Sequence, residues 1–243
     1  MKFGKLKYRG VFVTGTDTSV GKTMVAAGLV GLLREHGFNV GVMKPVASGA
    51  IECDSGKLIS QDVEMLVKFS GVEDPWELIN PYCLATPVTP ALAAKIEGVI
   101  FDFERIRHCF EVISANHEFI VVEGASGVMS PLTDNLVVAD LIGMLDLPSI
   151  IVSHPDQGTI NHTLLTIECL KHRNLEVLGF FLNRFPDSPN LAESTNAEIV
   201  TTVSGVPHLG SVQELGDFFS QRHVVEAFAK SISLERLLGV LCV

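Results

Sequence analysis

The fold of this chain is decided by Gly15-Thr16-Asp17-Thr18-Ser19-Val20-Gly21-Lys22-Thr23. These residues follow a short apolar run at 10–14 and lead into a helical pattern. A strand, a glycine-rich turn and a helix N-terminus in that order form a cradle of backbone N–H groups for phosphate. Lys22 is placed to reach the β- and γ-phosphates of a nucleotide, and the Thr23 hydroxyl is placed to bind Mg²⁺. The alternative is a glycine turn followed by a solvated lysine, but the strand-to-helix context favours a nucleotide site.

The composition indicates a large apolar core and an acidic surface. The 243 residues are 47% hydrophobic with a mean hydropathy of +0.35, so disorder is not expected. A net charge of −10 argues against nucleic acid and against an anionic membrane surface as main partners. No apolar run is long enough to span a bilayer, and the N-terminus lacks the pattern of a secretory signal. The five cysteines are scattered without a Cys-x-x-Cys pair, which fits a reduced compartment, so we expect a cytoplasmic protein.

Short apolar strands alternate with helical patterns along the chain. The patterns predict strands at 11–14, 39–43, 119–122, 149–152, 177–182 and 208–212. They predict loops at 50–60 and 81–90, one or two helices near the C-terminus, and earlier helices at 23–35, 61–69, 91–97, 103–116, 136–145, 159–171 and 192–202. No repeat or linker divides the pattern, so we expect one domain over residues 1–243. The predicted fold class is α/β, a single-domain P-loop-type three-layer fold with a mostly parallel sheet covered by helices on both faces.

Polar residues follow the predicted strands at the edge where ligands bind in such a sheet. Lys44 follows the second strand, Glu123 follows the third with a glycine-rich turn, and Asn183 follows a later one. Beside a phosphate cradle, Lys44 is a candidate for stabilising negative charge on a transferring phosphoryl group. Glu123 and Asp62 are candidate Mg²⁺ ligands, because one or two carboxylates with phosphate oxygens are typical of such sites.

Each of these side chains has a purely structural alternative. Lys44 on its own could be a solvated strand end, and Asp62 an ordinary helix-start carboxylate favoured by the helix dipole. Asn183 could cap or close a turn instead of contacting a purine ring. The helix start at 158–161 has free N–H groups for a carboxylate, or else a satisfied N-cap. The eight histidines show no metal spacing, and His162 is interpreted as structural.

An ordered set of segments points to one family. The segments are Gly-Thr-Asp-Thr-Ser-Val-Gly-Lys-Thr at 15–23, Lys-Pro-Val-Ala-Ser-Gly at 44–49, Gln-Asp at 61–62, Asn-Pro-Tyr at 80–82, Pro-Val-Thr-Pro at 87–90, Val-Glu-Gly-Ala at 122–125 and Ile-Asn-His at 160–162. As a set they resemble the dethiobiotin synthetase family, ATP-dependent cyclo-ligases that close the ureido ring in biotin biosynthesis. The phosphate loop of this chain has five residues between its glycines instead of the usual four, and this gap is itself a trait of that family.

The resemblance implies a role for each site residue. It implies ATP binding by Gly15, Thr18, Ser19, Val20, Gly21, Lys22, Thr23, Met24, Asp62, Glu123, Gly124, Ala125, Ser126, Asn183 and Gln213. The substrate 7,8-diaminononanoate would contact Thr18, Lys44, Ser48 and Asn161. Mg²⁺ would be held by Thr23, Asp62 and Glu123. Lys22 and Lys44 would be the catalytic residues, in contact with phosphate and carbamate oxygens.

The resemblance also implies a reaction and an assembly. The reaction joins CO₂ to the diamine as a carbamate, activates the carbamate with the γ-phosphate of ATP and closes the ring with release of ADP and phosphate. The assembly is a homodimer in which the helix start at Asn161 of the second subunit receives the substrate carboxylate.

The chain departs from the family pattern at three places. Ser126 stands where the family usually has glycine, which adds a side chain close to the ligand. The stretch 211–215 lacks the proline usual in the loop that contacts adenine, and a tyrosine expected near Ser194 or Thr195 is missing. These two departures leave nucleotide preference and recognition of the substrate carboxylate open.

Two other classes of protein share a related loop. One class is the P-loop ATPase switch proteins of the partition or site-selection type, which resemble each other in having an additional lysine near the start of the loop, where this chain has Thr16 and Asp17. Such proteins often carry a basic or amphipathic element for membrane or DNA, and we find none in the sequence. An amide-forming ligase of the cobyrinate type would need a glutamine-hydrolysing domain, for which 243 residues are too few.

Overall fold

The computed structural model describes residues 6–53, 56–215, 220–232 and 234–241, which contain ten strands and ten helices. The strands are β1 (Gly10–Gly15), β2 (Val40–Met43), β3 (Val46–Ser48), β4 (Ile51–Glu52), β5 (Leu58–Ile59), β6 (Tyr82–Leu84), β7 (Phe119–Gly127), β8 (Ser149–Ser153), β9 (Val177–Phe185) and β10 (His208–Gln213). The helices are α1 (Lys22–Glu35), α2 (Gln61–Ser70), α3 (Trp76–Ile79), α4 (Pro90–Glu97), α5 (Phe103–Asn116), α6 (Val138–Leu145), α7 (Thr159–His172), α8 (Leu191–Ser204), α9 (Gln221–Ser231) and α10 (Leu234–Leu241).

The main sheet of the described residues has six strands in the order β10-β9-β8-β1-β7-β2, and every pairing in it is parallel. The chain runs from β1 to β2 at one edge, returns through β7 and then continues through β8 and β9 to β10 at the other edge. The carboxyl ends of all six strands therefore lie at one side of the sheet. The order reverses around β1, and such a reversal opens a crevice for ligands in open parallel sheets.

The core lies on both faces of this sheet. Consecutive residues of β1, from Val11 through Val13, are fully buried, so both faces of the strand are covered. The helix α1 packs against α2 and α9, whereas α7 packs against α8 and α5 against α6. Large side chains such as Phe12, Phe119 and Phe180 have no exposed surface and fill the space between the layers. The predicted fold class is confirmed.

The small strands and one short helix are where the predictions were wrong. The stretch 50–60, predicted as loop, contains the antiparallel pair β4 and β5, and the stretch 81–90 contains β6, which pairs with β3 in parallel. Strands of two or three residues are too short to show an alternation, and α3 has only four residues. Ser60 precedes α2 at the N-cap position, but its side chain makes no capping hydrogen bond. Within the described residues, none of the helices combines the length and apolar character needed to cross a membrane.

Candidate active site

The phosphate loop is held in its shape by the end of β9. Asn183, which is 3% exposed, donates from Nδ2 to the carbonyl oxygen of Val20 at 2.9 Å. Gly21 has a φ of +87°, and a Cβ at this position would lie 1.9 Å from the same Nδ2 atom. Only glycine can therefore occupy this position while the loop keeps its contact with Asn183. No side chain caps the start of α1, which leaves its first N–H groups free for an anion.

Lys22 extends from the first turn of α1 back toward its own loop. Its Nζ donates to the carbonyl oxygen of Asp17 at 3.0 Å, and the residue is 7% exposed. Burial is the main reason why the pKa of this ammonium is lowered from 10.5 to about 8, with the nearby Glu123 carboxylate acting in the opposite direction. An anion that enters the loop would further favour the charged form of this ammonium.

A buried ion cluster lies beside the loop. The Nζ of Lys44 is 2.6 Å from Oδ2 of Asp62 and 2.7 Å from Oε1 of Glu123. The side chains of Lys44 and Glu123 are 5% and 1% exposed, whereas that of Asp62 is 46% exposed. Thr23 donates from its hydroxyl to the same Oε1 of Glu123 at 2.8 Å. One ammonium group at the end of β2 therefore contacts both the middle of β7 and the start of α2.

The charges in this cluster set each other's protonation. Burial alone would lower the pKa of Lys44, but the attraction of the two carboxylates outweighs it, so the pKa is raised and the ammonium stays charged. Burial raises the pKa of Glu123, with the Asp62 carboxylate adding to this effect and Lys44 opposing it. Burial would raise the pKa of Asp62, whereas Lys44 lowers it. The effect of the lysine is the stronger one, so the pKa of Asp62 is lowered.

The backbone of Lys44 is fixed by a separate set of hydrogen bonds. Its N–H donates to the carbonyl oxygen of Ile79 at 2.8 Å. The buried amide of Asn80 donates to the carbonyl oxygens of Lys44 at 2.6 Å and of Tyr82 at 3.1 Å. These contacts hold the strand exit in one position, so the ammonium is directed at the carboxylates rather than into solvent.

The donor set of the cluster suits a hard cation. Among the described residues no group of three or more His, Cys, Asp or Glu side chains could hold a metal ion. Mg²⁺ needs fewer protein ligands, because it takes one or two carboxylates together with phosphate oxygens and water. The Oε2 atom of Glu123 is buried and has no hydrogen-bond partner, so it is an oxygen available to a cation. Thr23, Asp62 and Glu123 thus fit Mg²⁺ by their chemistry.

Two adjoining cavities open at this edge of the sheet. The first has a volume of about 310 Å³ and is lined by Thr18, Ser19, Gly21, Lys22, Thr23, Lys44, Ala47, Ser48, Asp62, Glu123, Ala125, Ser126 and Arg184. The second has a volume of about 420 Å³ and is lined by Gly21, Thr23, Met24, Gln61, Asp62, Met65, Asn183, Arg184, Gln213 and Leu215. They share Gly21, Thr23, Asp62 and Arg184, so one elongated molecule can occupy both.

Most of the residues predicted for the site meet at these cavities, and a few do not. Gly15, Val20 and Gly124 are buried behind the lining. Asn161 is exposed in the first turn of α7 and lines neither cavity, so this chain by itself does not bring it to the other site residues.

Ser126 occupies an unusual backbone position opposite the phosphate loop. Its φ is +55°, a left-handed conformation that favours glycine over residues with a side chain. The Thr18 hydroxyl donates to its Oγ at 3.1 Å, which links the end of β7 to the loop. The departure from the family pattern at this position therefore adds a hydroxyl contact and introduces backbone strain.

The side of the first cavity away from the loop is built by β3 and the segment after β6. The half-buried Ser48 donates from Oγ to the carbonyl oxygen of Val88 at 2.8 Å. Glu97 of α4 accepts hydrogen bonds from the backbone N–H groups of Thr86 at 2.7 Å and Ala85 at 3.3 Å. These contacts order the wall that carries Ser48.

Several lining residues were missed by the sequence analysis, and the most informative of them is Arg184. It is exposed and lines both cavities. Asn183 was selected because it is a polar residue after a predicted strand, and Arg184, the next residue, meets the same criterion. Regular alternation would have turned that side chain to the other face of the sheet.

Comparisons with known proteins show which family the chain resembles. A family model described as "AAA domain" matches residues 9–222. The chain is 40% identical to the ATP-dependent dethiobiotin synthetase BioD of Bacillus licheniformis over 209 residues, which are 86% of this chain and 87% of that protein. It is also 40% identical to the ATP-dependent dethiobiotin synthetase BioD of Methanococcus vannielii, over 86% of this chain and 95% of that protein.

Among solved structures, a ParA family ATPase from Chlorobium tepidum is similar with a TM-score of 0.55. The match covers 93% of this chain and 97% of the ATPase, and the sequence identity is 18%. A likeness at this level of identity concerns the fold alone.

Proposed function

The chain belongs to the ATP-dependent dethiobiotin synthetase family, and we propose that it converts 7,8-diaminononanoate, CO₂ and ATP into dethiobiotin, ADP and phosphate. Membership in this family makes it an ATP-dependent cyclo-ligase of biotin biosynthesis. The observation that carries the detailed proposal is the Lys44 ammonium, which is fixed between Asp62 and Glu123 at the wall of the phosphate cavity. We propose that the whole chain, 1–243, forms one ligase domain.

In the proposed mechanism, the protein binds and positions charged groups and does little acid–base chemistry. An amine of the substrate takes up CO₂ to form a carbamate. A carbamate oxygen attacks the γ-phosphate of ATP and displaces ADP, which gives a carbamic–phosphoric anhydride. The second amine then attacks the carbonyl carbon and expels phosphate, which closes the ring. Lys44 and Lys22 neutralise the carbamate and phosphate oxygens, and the N–H groups at the start of α1 hold the nucleotide phosphates. Such transfers depend mainly on positioning and charge stabilisation.

The metal would be held by Thr23, Asp62 and Glu123, whose oxygen donors suit it as described above. When bound, Mg²⁺ supplies positive charge at the phosphate oxygens of ATP. Of these donors, the orphaned Oε2 of Glu123 is the one already freed from competing hydrogen bonds.

We assign the purine ring to the second cavity, beside Met24, Asn183 and Gln213. Asn183 uses Nδ2 to close the phosphate loop, and within the described residues its Oδ1 accepts no hydrogen bond. A carbonyl oxygen there can accept from the amino group of adenine. One side chain can thus both close the phosphate loop and contact the purine ring.

We assign the diamine to the part of the first cavity that carries Thr18, Lys44 and Ser48, and we propose that a second copy of the chain completes it. Asn161 is exposed near the start of α7, away from both cavities, as expected if it serves the site of a partner. Met129 and Leu165 are 56% and 61% exposed around a third cavity that also includes Asp17 of the loop. Apolar exposure next to the site supports a homodimer interface there.

We place the enzyme in the cytoplasm, because Cys83, Cys109 and Cys169 are not joined in disulfides.

The deciding experiment measures phosphate release with Mg·ATP and bicarbonate, with and without 7,8-diaminononanoate. Release that requires the diamine, together with a product of the mass of the cyclic urea, would establish the reaction. A Lys44→Ala variant should lose far more in rate than in ATP affinity, and equal losses would contradict the role given to Lys44. Hydrolysis independent of the diamine would instead favour the alternative, a P-loop ATPase switch protein of the partition or site-selection type.

A further inference from the structure

The carboxyl end of β9 contains a β-bulge at Arg184. Asn183 pairs with Val212 and Phe185 pairs with Gln213, so Arg184 is an extra residue without a partner on β10. Its φ is +59°, in the left-handed region that an arginine seldom adopts. Bulges of this kind redirect side chains and are frequent beside active sites.

The consequence of the bulge is that two consecutive side chains line the same cavity. In a regular strand, Asn183 and Arg184 would point to opposite faces of the sheet. Here both line the second cavity, and Arg184 also lines the first. A strained backbone of this kind persists only where the surrounding structure holds it, and such strain concentrates at functional sites.

Among the described residues, Arg184 is the cationic side chain at these cavities that has no hydrogen bond or ion pair. Three cationic side chains line the two cavities, and Lys44 is paired with two carboxylates while Lys22 donates to the Asp17 carbonyl. The guanidinium of Arg184 has no hydrogen bond or ion pair to any residue that the structure describes. In a protein with a net charge of −10, the cation where the two site cavities meet therefore has no partner among the described residues.

We propose that Arg184 binds the nucleotide through the phosphate nearest the ribose. This inference rests on the nucleotide site of the proposed function. A nucleotide with its outer phosphates in the loop and its purine in the second cavity must pass the residues that both cavities share, and Arg184 is the cation among them. The planar guanidinium can donate two parallel hydrogen bonds to phosphate oxygens. Arg184 thus contributes to affinity for the nucleotide rather than to the chemical steps.

The test uses Arg184→Asn, because asparagine tolerates the left-handed backbone and should leave the bulge intact. Displacement of a fluorescent ADP derivative by ADP and by adenosine gives both affinities in the absence of the diamine. We expect ADP to bind about tenfold more weakly to the variant, as for loss of one charge-assisted hydrogen bond. The affinity for adenosine should be unchanged. Arg184→Lys should recover part of the loss, since it restores the charge without the two-pronged geometry.

The matched control is Arg107→Asn, which removes the same charge from the surface of α5, where Arg107 pairs with Glu104. It should alter neither affinity. Unchanged ADP affinity in Arg184→Asn would overturn the proposal, as would an equal loss for ADP and adenosine, which would indicate stacking on the base. If the wild-type protein bound no ADP at all, the nucleotide site itself would be wrong. Diamine-dependent ring closure by the wild type would show that the proposed function stands even if Arg184 does not contribute.

Discussion

Replacing Lys44 with methionine should destabilise the free protein, and the loss should depend on pH. The ammonium lies 2.6 Å from Asp62 and 2.7 Å from Glu123, with 5% of the side chain exposed. Methionine has a similar length, so the substitution removes the charge and leaves little cavity. What remains is a carboxylate at Glu123 that is 1% exposed and has lost its cation.

The size of the loss follows from how much of each partner is buried. Removing one member of a buried ion pair costs about 3–5 kcal/mol, because the other charge stays buried and uncompensated. The contribution of Asp62 is small, since that side chain is 46% exposed and screened by water. Thr23 still donates to Glu123 at 2.8 Å, which relieves part of the cost. We therefore expect Lys44→Met to lower the free energy of unfolding by about 3 kcal/mol at pH 8.

The pH dependence comes from Glu123. Burial already raises the pKa of this carboxyl, and loss of Lys44 raises it further. A carboxyl whose pKa is higher in the folded state than in the unfolded state destabilises the folded protein when it is ionised. This cost is complete at pH values above the folded-state pKa and absent at pH values below the unfolded-state pKa. Urea denaturation followed by circular dichroism, without nucleotide or metal, should therefore give a smaller difference from wild type at pH 5 than at pH 8.

Two further variants separate charge from packing. Lys44→Met combined with Glu123→Gln should recover more than half of the loss, because no unpaired buried charge remains. Mg²⁺ alone should stabilise Lys44→Met more than wild type, because the two carboxylates and Thr23 are no longer neutralised by an ammonium. The reasoning would be refuted by a loss below about 1 kcal/mol, by the same loss at both pH values, or by no recovery in the double variant.

Three other outcomes can be checked. The pKa of Lys22 is about 8 in the free protein, so this side chain is mostly neutral at pH 9 and should take up a proton when ATP binds. Calorimetry in buffers of different ionisation enthalpy measures this proton uptake, and Lys22→Met should abolish it. Asn183→Ala should lower the free energy of unfolding in urea by about 1–2 kcal/mol through loss of the hydrogen bond to Val20. The variant should also prefer ATP over GTP less strongly than the wild type does, and an unchanged preference would leave Asn183 with the loop-closing role alone. Ser126→Gly should have a free energy of unfolding about 1 kcal/mol higher than Ser126→Ala, because both lose the bond to Thr18 and only glycine relieves the left-handed backbone. Thermal denaturation should therefore give the higher unfolding temperature for Ser126→Gly, and the reverse order would show that no strain is stored there.

The sequence could predict Lys44 and Glu123 because each comes directly after a run of buried residues in a parallel strand. In the observed register Met43 of β2 pairs with Val122 of β7, so the next residues, Lys44 and Glu123, emerge side by side. The apolar patterns located the strands, and parallel strands bring their carboxyl ends to one edge. The structure extends β7 to Gly127 and β9 to Phe185, beyond the predicted ends at 122 and 182. The adjacency of β2 and β7 was not readable, since strand order depends on tertiary contacts. The ion pair was therefore predicted as a set of residues and not as a bonded pair.

The remaining features depend on backbone irregularities that leave no periodic signal. The left-handed conformation of Ser126 and the bulge at Arg184 each involve a single residue. A bulge reverses the face on which later side chains lie, so alternation read from the sequence assigns Arg184 to the wrong side. The pair of β3 and β6 is only three residues long, and its pairing joins segments that are far apart in the chain.

These irregularities matter because the regular part of the site carries little free positive charge. The single positive charge of Lys44 faces the two carboxylates of Asp62 and Glu123. Lys22 adds a second positive charge below about pH 8, which brings the net charge of these four side chains to zero. A polyphosphate added to such a site needs further attraction from the N–H groups at the start of α1 and from a cation that is not already paired. Arg184 meets this need, because the bulge places it at the junction of the cavities while leaving the buried cluster unchanged. We infer that the site separates two tasks, with a buried neutralised cluster for the chemistry and an exposed arginine for nucleotide affinity.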